Sequence, residues 1–227
     1  MIDVIKKAFY KTIPVMAGYI VLGIGFGILL HNAGYGMIWA FAMSALIYAG
    51  SMQYVGIGLL TGGASVVTTI ITTIMVNARH LFYSISMIDK YKNSGKYKPY
   101  LIFALTDETY SLLCDDDGEA NGSINRYRFF VSLFDQCYWV LGSVIGSLLG
   151  SMIRFSTAGI EFSMTALFIA SFTEQWIESD NHLPAIVGIV STVMCLVVFG
   201  SENFLIPSML LITVLLTILR GEESVEK

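Results

Sequence analysis

Apolar residues run along the chain in long blocks, at about 13–30, 37–60, 64–88, 99–114, 127–153, 160–178, 183–200 and 203–219. A helix needs roughly 20 such residues to cross a hydrocarbon layer, and most blocks approach that length. Short connections rich in Gly, Asn and Pro separate them, at His31–Gly36, Thr61–Gly63, Ser179–Pro184 and Gly200–Asn203. Two connections are longer and polar. Asp89–Lys98 carries four Lys, and Asp115–Asn125 is acidic with Gly, Asn and Ser. The pattern predicts an all-α polytopic membrane protein with about seven to eight transmembrane segments. We expect one integral membrane transport domain over 1–227, its halves 1–114 and 127–227 joined by the polar loop 115–126.

Composition agrees. Charged residues are 13% of the chain and hydrophobic ones 55%, whereas a soluble domain carries about a quarter charged. A formal charge of −4 speaks against nucleic acid as a partner. Cys114, Cys137 and Cys195 have no paired spacing and read as small apolar residues. Lys6, Lys7 and Lys11 before Ile13–Leu30 mimic a signal peptide. No small-residue cleavage site closes that run, so it reads as a first transmembrane helix that stays.

Seven of the 13 Lys and Arg lie before the first block or in the 89–98 loop. The positive-inside rule puts both on the cytoplasmic side, but two full crossings between residues 31 and 88 would put the loop outside. Either 37–60 or 64–88 is a re-entrant hairpin, or the loop breaks the rule. The Ala49-Gly50-Ser51-Met52-Gln53 interruption favours a hairpin.

The chain also repeats itself. Tyr19-Ile-Val-Leu-Gly23…Gly27-Ile-Leu-Leu30 aligns with Tyr138-Trp-Val-Leu-Gly142…Gly146-Ser-Leu-Leu149, and Met43–Ala49 aligns with Met164–Ala170. Separation by an odd number of crossings would make this an inverted repeat with interrupted helices, a common transporter plan. Gly18, Gly23, Gly27, Gly142, Gly146 and Gly150 form small-xxx-small faces for close helix packing.

From Thr12 to Ala78 there is no Asp, Glu, Lys or Arg, and then Arg79 and His80 arrive in Val76-Asn77-Ala78-Arg79-His80. A charge at membrane depth costs about 2.5 kcal/mol or more. Arg79 presents a planar fork suited to a carboxylate, and His80 can take a proton near neutral pH. The alternatives are that Arg79 snorkels to the interface and that His80 makes a structural hydrogen bond. Asp107 and Glu108 sit in the middle of 99–114, where two carboxylates need partners or protons. They fit a proton relay, a cation site or a packing ion pair. Gly50, Ser51 and Gln53 interrupt the second block, and Ser171–Gln175 holds the corresponding place further on; such breaks point to a midplane site. Glu174 reads as interfacial. Asp135-Gln136 enters its span early, with an Arg as the expected partner of Asp135. Asp115–Glu119 lacks the ligand pattern of a calcium loop. Protease, hydrolase and P-loop motifs are absent, and no cofactor or metal is expected.

Tyr48-Ala49-Gly50-Ser51-Met52-Gln53, Val76-Asn77-Ala78-Arg79-His80, Thr106-Asp107-Glu108 and Phe162–Trp176 together resemble the motif set of the AzlC-type branched-chain amino acid export permeases. The likeness runs along nearly the whole chain; Glu161 and the acidic 115–119 stretch depart from it. The resemblance implies a multi-pass protein of the bacterial inner membrane that exports valine, leucine, isoleucine and similar amino acids. It also implies a small companion membrane subunit of the AzlD type.

The residue inventory suits such a zwitterion. Gly50, Ser51, Gln53, Asn77 and Arg79 are the candidate substrate-binding residues, and His80, Asp107 and Glu108 the candidate proton carriers. Uphill export without ATP chemistry needs an ion gradient, so proton antiport is the expected mechanism, with the N-terminus cytoplasmic. An accessory or scaffolding subunit, or a carrier of another small zwitterionic or anionic solute, is the alternative.

Overall fold

The computed structural model describes residues 2–114, 124–152, 169, 172–173, 176–177 and 181–225. Among them every regular element is helical. The 115–119 loop, Met164–Leu167, Ser171, Glu174, Gln175 and Glu161 lie outside the described residues. So does most of the second copy of the interrupted segment.

Two long helices form the backbone of the fold, α1 (Ile2–Asn32) and α8 (Ile124–Met152). They lie side by side and run the same way. Phe9 meets Phe134, Thr12 bonds Tyr138 at 3.1 Å, Gly23 faces Gly142 and His31 abuts Gly150. Their glycines make this possible, as the small-residue faces predict. A methyl group on Gly146 would run into the backbone of Ile24, and one on Gly27 into that of Ser143 and Ser147. The aligned residues 23 and 142 thus meet across one interface. The expected inversion does not hold for this pair, because inverted copies would run in opposite directions.

The reason is the path between them. Helix α2 (Met37–Leu46) starts beside the C-terminal end of α1 and descends along α8, until Ser44 bonds Ser143 and Gln136 bonds the Ala45 carbonyl. The chain then turns at Tyr48, with φ +45°, and α3 (Gly50–Thr61) climbs back, setting Gln53 against Ser44 and Gly56 against Met43. The 37–60 segment is therefore a helical hairpin that does not pass through. Next, α4 (Val66–Asn77) and α5 (Arg79–Tyr91) run down the full height with one break at Ala78. Helix α5 ends where Arg128 donates to the Lys90 carbonyl, near the start of α8.

A second hairpin enters from that end. Helix α6 (Lys98–Phe103) rises until Tyr100 bonds Gln136; α7 (Asp107–Cys114) then descends until Lys90 reaches the Leu113 and Cys114 carbonyls. Among the described residues, the blocks 37–60 and 99–114 thus fold back on themselves. One downward pass, α4–α5, separates α1 from α8, which restores their common direction. The Lys-rich loop ends beside the N-termini of α1 and α8: Ser94 bonds Asn125, and Lys7 sits over Tyr127. Its basic residues share one face of the molecule with Lys6 and Lys7, as the charge rule requires.

Helices α9 (Leu183–Asn203) and α10 (Leu205–Val225) pack on each other, and α10 touches α4. Among the described residues, three stretches are long and apolar enough to cross a membrane: Ile2–Asn32, Ile124–Met152 and Leu183–Ser201. Met37–Leu46, Val66–Asn77 and Leu210–Leu219 are shorter apolar stretches. Exposed side chains such as Val66, Ile74 and Val197 make the outer surface of α4 and α9 apolar, which suits contact with lipid.

Candidate functional site

The hairpin tips and the α4–α5 break converge at mid-height on one small cavity. Each interruption has a local cause. Tyr48 closes α2 in the left-handed region, a cost of about 1–2 kcal/mol for a side chain with a Cβ. Burial to 4% exposure and packing on Phe103 across the tips hold it there. At Ala78 the ladder tightens to i→i+3 bonds, Ala78 to Met75 and Leu81 to Ala78. Thr106 caps α7, its Oγ1 accepting the Thr109 N–H at 3.2 Å.

Chemistry gathers at these breaks. Asp107 and Glu108 occupy the first turn of α7, where the helix dipole favours carboxylates. Arg79 opens α5 and reaches across, its Nη1 2.7 Å from Asp107 Oδ2 and its Nη2 donating to Ser51 Oγ. Arg79 and Asp107 are only part-buried, 26% and 30% exposed, so both face open space. Ala49, at the start of α3, offers no capping side chain, and Gly50 and Ser51, in the first turn, line the cavity. Tyr19 donates to Glu108 Oε2 at 2.7 Å and lies 2.6 Å from Thr106 Oγ1. The apolar wall is Leu22, Tyr54 and Trp139.

Gly50, Ser51, Arg79, His80, Asp107 and Glu108 all line this cavity. Gln53 and Asn77 do not. Gln53 is fully buried behind the wall, donating to Ser44 Oγ at 3.0 Å and accepting from Trp139 Nε1 at 2.8 Å. Asn77 turns its carbonyl to His80 Nδ1 at 3.2 Å. Tyr19, Tyr48, Tyr54 and Trp139 were not among the expected site residues, because in the sequence they look like ordinary apolar helix residues. Among the described residues Asp135 has no Arg partner; it accepts from Thr109 Oγ1 at 2.8 Å. Among the described residues no cluster of His, Cys, Asp or Glu could hold a metal ion.

The cavity is about 50 Å³. That is room for on the order of four waters, far below the roughly 300 Å³ at which small-ligand sites begin. As it stands, the cavity has room for water but not for a ligand of that size.

These features define an all-helical, polytopic membrane protein with a charged site enclosed between interrupted helices. The AzlC protein family profile matches residues 14–153. The chain belongs to the AzlC family. It is 45% identical over 215 residues to the branched-chain amino acid transport protein AzlC of Bacillus subtilis, spanning 95% of this chain and 85% of that protein. A membrane protein of Helicobacter pylori is 43% identical over 96% of this chain and 95% of its own length. The inner membrane protein YgaZ of Escherichia coli is 26% identical over 70% of this chain and 68% of its own. No solved structure matches the chain.

Proposed function

We propose that the protein is a secondary transporter that exports branched-chain amino acids across the bacterial cytoplasmic membrane in exchange for protons. The observation that carries this reading is the meeting of complementary groups around one cavity: a guanidinium, an uncapped helix start, two carboxylates and an apolar wall. A zwitterion needs each of them. Arg79, Ser51 and the N–H groups at Gly50 and Ser51 take the substrate carboxylate. Asp107, released from Arg79 when the carboxylate arrives, takes the ammonium together with Glu108. Leu22, Tyr54 and Trp139 face the aliphatic side chain. His80 and Glu108 carry the exchanged proton.

Access alternates as the two hairpins part from opposite ends of the molecule, since the cavity as it stands is too small for the substrate. The N-terminus and the Lys-rich loop face the cytoplasm. The domain spans 1–227, its repeat relates α1 to α8, and a small AzlD-type membrane subunit accompanies it.

Counterflow of radiolabelled leucine in proteoliposomes tests the reading, with and without that subunit. Valine and isoleucine should compete, and lysine and glutamate should not. Asp107→Asn should reach the membrane and fail to exchange. Normal counterflow by that variant overturns the assignment.

A further inference from the structure

We propose that Asp135 is an occluded proton-binding carboxyl, joined to Glu108 at the cavity by a file of three hydroxyls. This rests on the proton-coupled reading above. The file is continuous. Glu108 Oε2 is 2.7 Å from the Tyr19 hydroxyl, which is 2.6 Å from Thr106 Oγ1. Thr106 Oγ1 is 3.0 Å from Thr109 Oγ1, and Thr109 Oγ1 is 2.8 Å from Asp135 Oδ2. Thr106 and Thr109 are buried at the cap and in the first turn of α7, Tyr19 on α1 and Asp135 on α8, so three helices hold the geometry.

Asp135 itself is fully buried. Its Oδ1 has no hydrogen-bond partner among the described residues. Among the described residues, the titratable groups that face it are Tyr19 on α1, Tyr48 at the first hairpin tip, Tyr100 on α6, Glu108 on α7 and Tyr138 on its own helix. None of these is a cation. A carboxylate here would be an uncompensated charge with a single hydroxyl donor, which is far more costly to bury than a neutral carboxyl. The group therefore holds a proton in this conformation. An Asn would satisfy Thr109 equally well; what Asp adds is a proton that can leave.

The file accommodates the proton at either end. With the proton on Glu108, Tyr19 donates to Thr106, Thr106 to Thr109 and Thr109 to Asp135, so every O–H points inward. One concerted shift moves a proton along each bond: Glu108 loses one, Asp135 gains one and each hydroxyl is regenerated pointing back toward Glu108. The negative charge moves from Asp135 to Glu108, beside the cavity, where it can hold a substrate ammonium. Proton occupancy and ammonium binding are thereby exclusive at Glu108, and exchange further requires that the proton held on Asp135 return along the file and leave before substrate binds.

Proteoliposomes loaded with pyranine test this, measuring leucine counterflow at equal pH and leucine movement driven by a pH gradient in sodium-free buffer. For Asp135→Asn, the ratio of gradient-driven movement to counterflow should fall by about a hundredfold, the scale of losing a positioned proton-transfer group. The coupled pyranine signal should be lost with it. Thr109→Val should do the same, and Thr109→Ser, which keeps the hydroxyl, should remain coupled. These two variants carry the test if Asp135→Asn does not insert. An unchanged ratio in Asp135→Asn or Thr109→Val, or a gradient response restored by sodium, overturns the inference alone. A wild-type protein that exchanges leucine without moving protons overturns the coupling reading as well.

Discussion

Arg79 and Asp107 meet across two helix breaks, the Arg79 Nη1 lying 2.7 Å from the Asp107 carboxylate while both keep an open face. A pair that served only packing would be sealed and satisfied; this one borders the cavity, and Arg79 also reaches Ser51 on the first hairpin.

Arg79→Lys keeps the charge and loses the fork, so it separates the two roles. A hydrogen bond to a charged group contributes about 1.5–3 kcal/mol. At about 1.4 kcal/mol per factor of ten, the leucine concentration for half-maximal transport should rise roughly ten- to a hundredfold, with membrane yield unchanged. The exchange Arg79→Asp with Asp107→Arg should not restore transport. Restoration by that double variant would mark a scaffold pair and favour an accessory role.

Gln53 gives the opposite expectation. Its amide is engaged at both ends, by Trp139 and Ser44, and no atom of it borders the cavity. Gln53→Met leaves the buried indole N–H unpaired, a cost of about 1–3 kcal/mol. Thermal unfolding in detergent should shift down while leucine affinity stays as in the wild type. A weakened affinity with an unchanged Tm would return Gln53 to the binding residues.

The site was more legible in the sequence than the path that builds it. Arg79, Asp107 and Glu108 stand out because charge inside apolar runs is costly and rarely idle. The break at Gly50 shows because Gly, Ser and Gln interrupt an apolar run. The breaks at Ala78 and Ala104–Thr106 do not show, since Ala and Leu are good helix formers and tertiary contacts set those ends. Nor does any local signal place Tyr48 in the left-handed region; Phe103, on the other hairpin, helps hold it there. Hydropathy counts residues without recording direction, so a folded-back hairpin reads like a crossing. Asp135 misled for a different reason. A charge rule looks for a countercharge, and its partner is the neutral hydroxyl of Thr109.

The glycine contacts between α1 and α8 predict unequal effects for similar changes. Gly146→Ala drives a methyl into the Ile24 backbone, which has no flexible end to move aside. Overpacking of this kind costs about 1–3 kcal/mol. Gly18, on the same helix as Gly23, has open space around its Cβ position. Gly146→Ala should therefore lower Tm in detergent and reduce folded yield, and Gly18→Ala should leave both unchanged. Equal behaviour of the two would show that the α1–α8 contact is looser than its geometry.

The hairpin path makes the firmest topological prediction. Asn32 and Thr61 flank α2–α3, and both are exposed at the end of the molecule where α1 finishes. Asp3 and Asn93 are exposed at the opposite end, where α1 starts and α5 finishes. With Cys114, Cys137 and Cys195 replaced by Ser, single cysteines at these four positions can be labelled by an impermeant maleimide from either side of the membrane. Asn32→Cys and Thr61→Cys should react from one side, and Asp3→Cys and Asn93→Cys from the other. Were α2–α3 a crossing, Thr61→Cys would join Asp3→Cys and Asn93→Cys would join Asn32→Cys. A folded-back hairpin and a crossing thus give opposite labels at two positions, and the positions need no knowledge of the substrate.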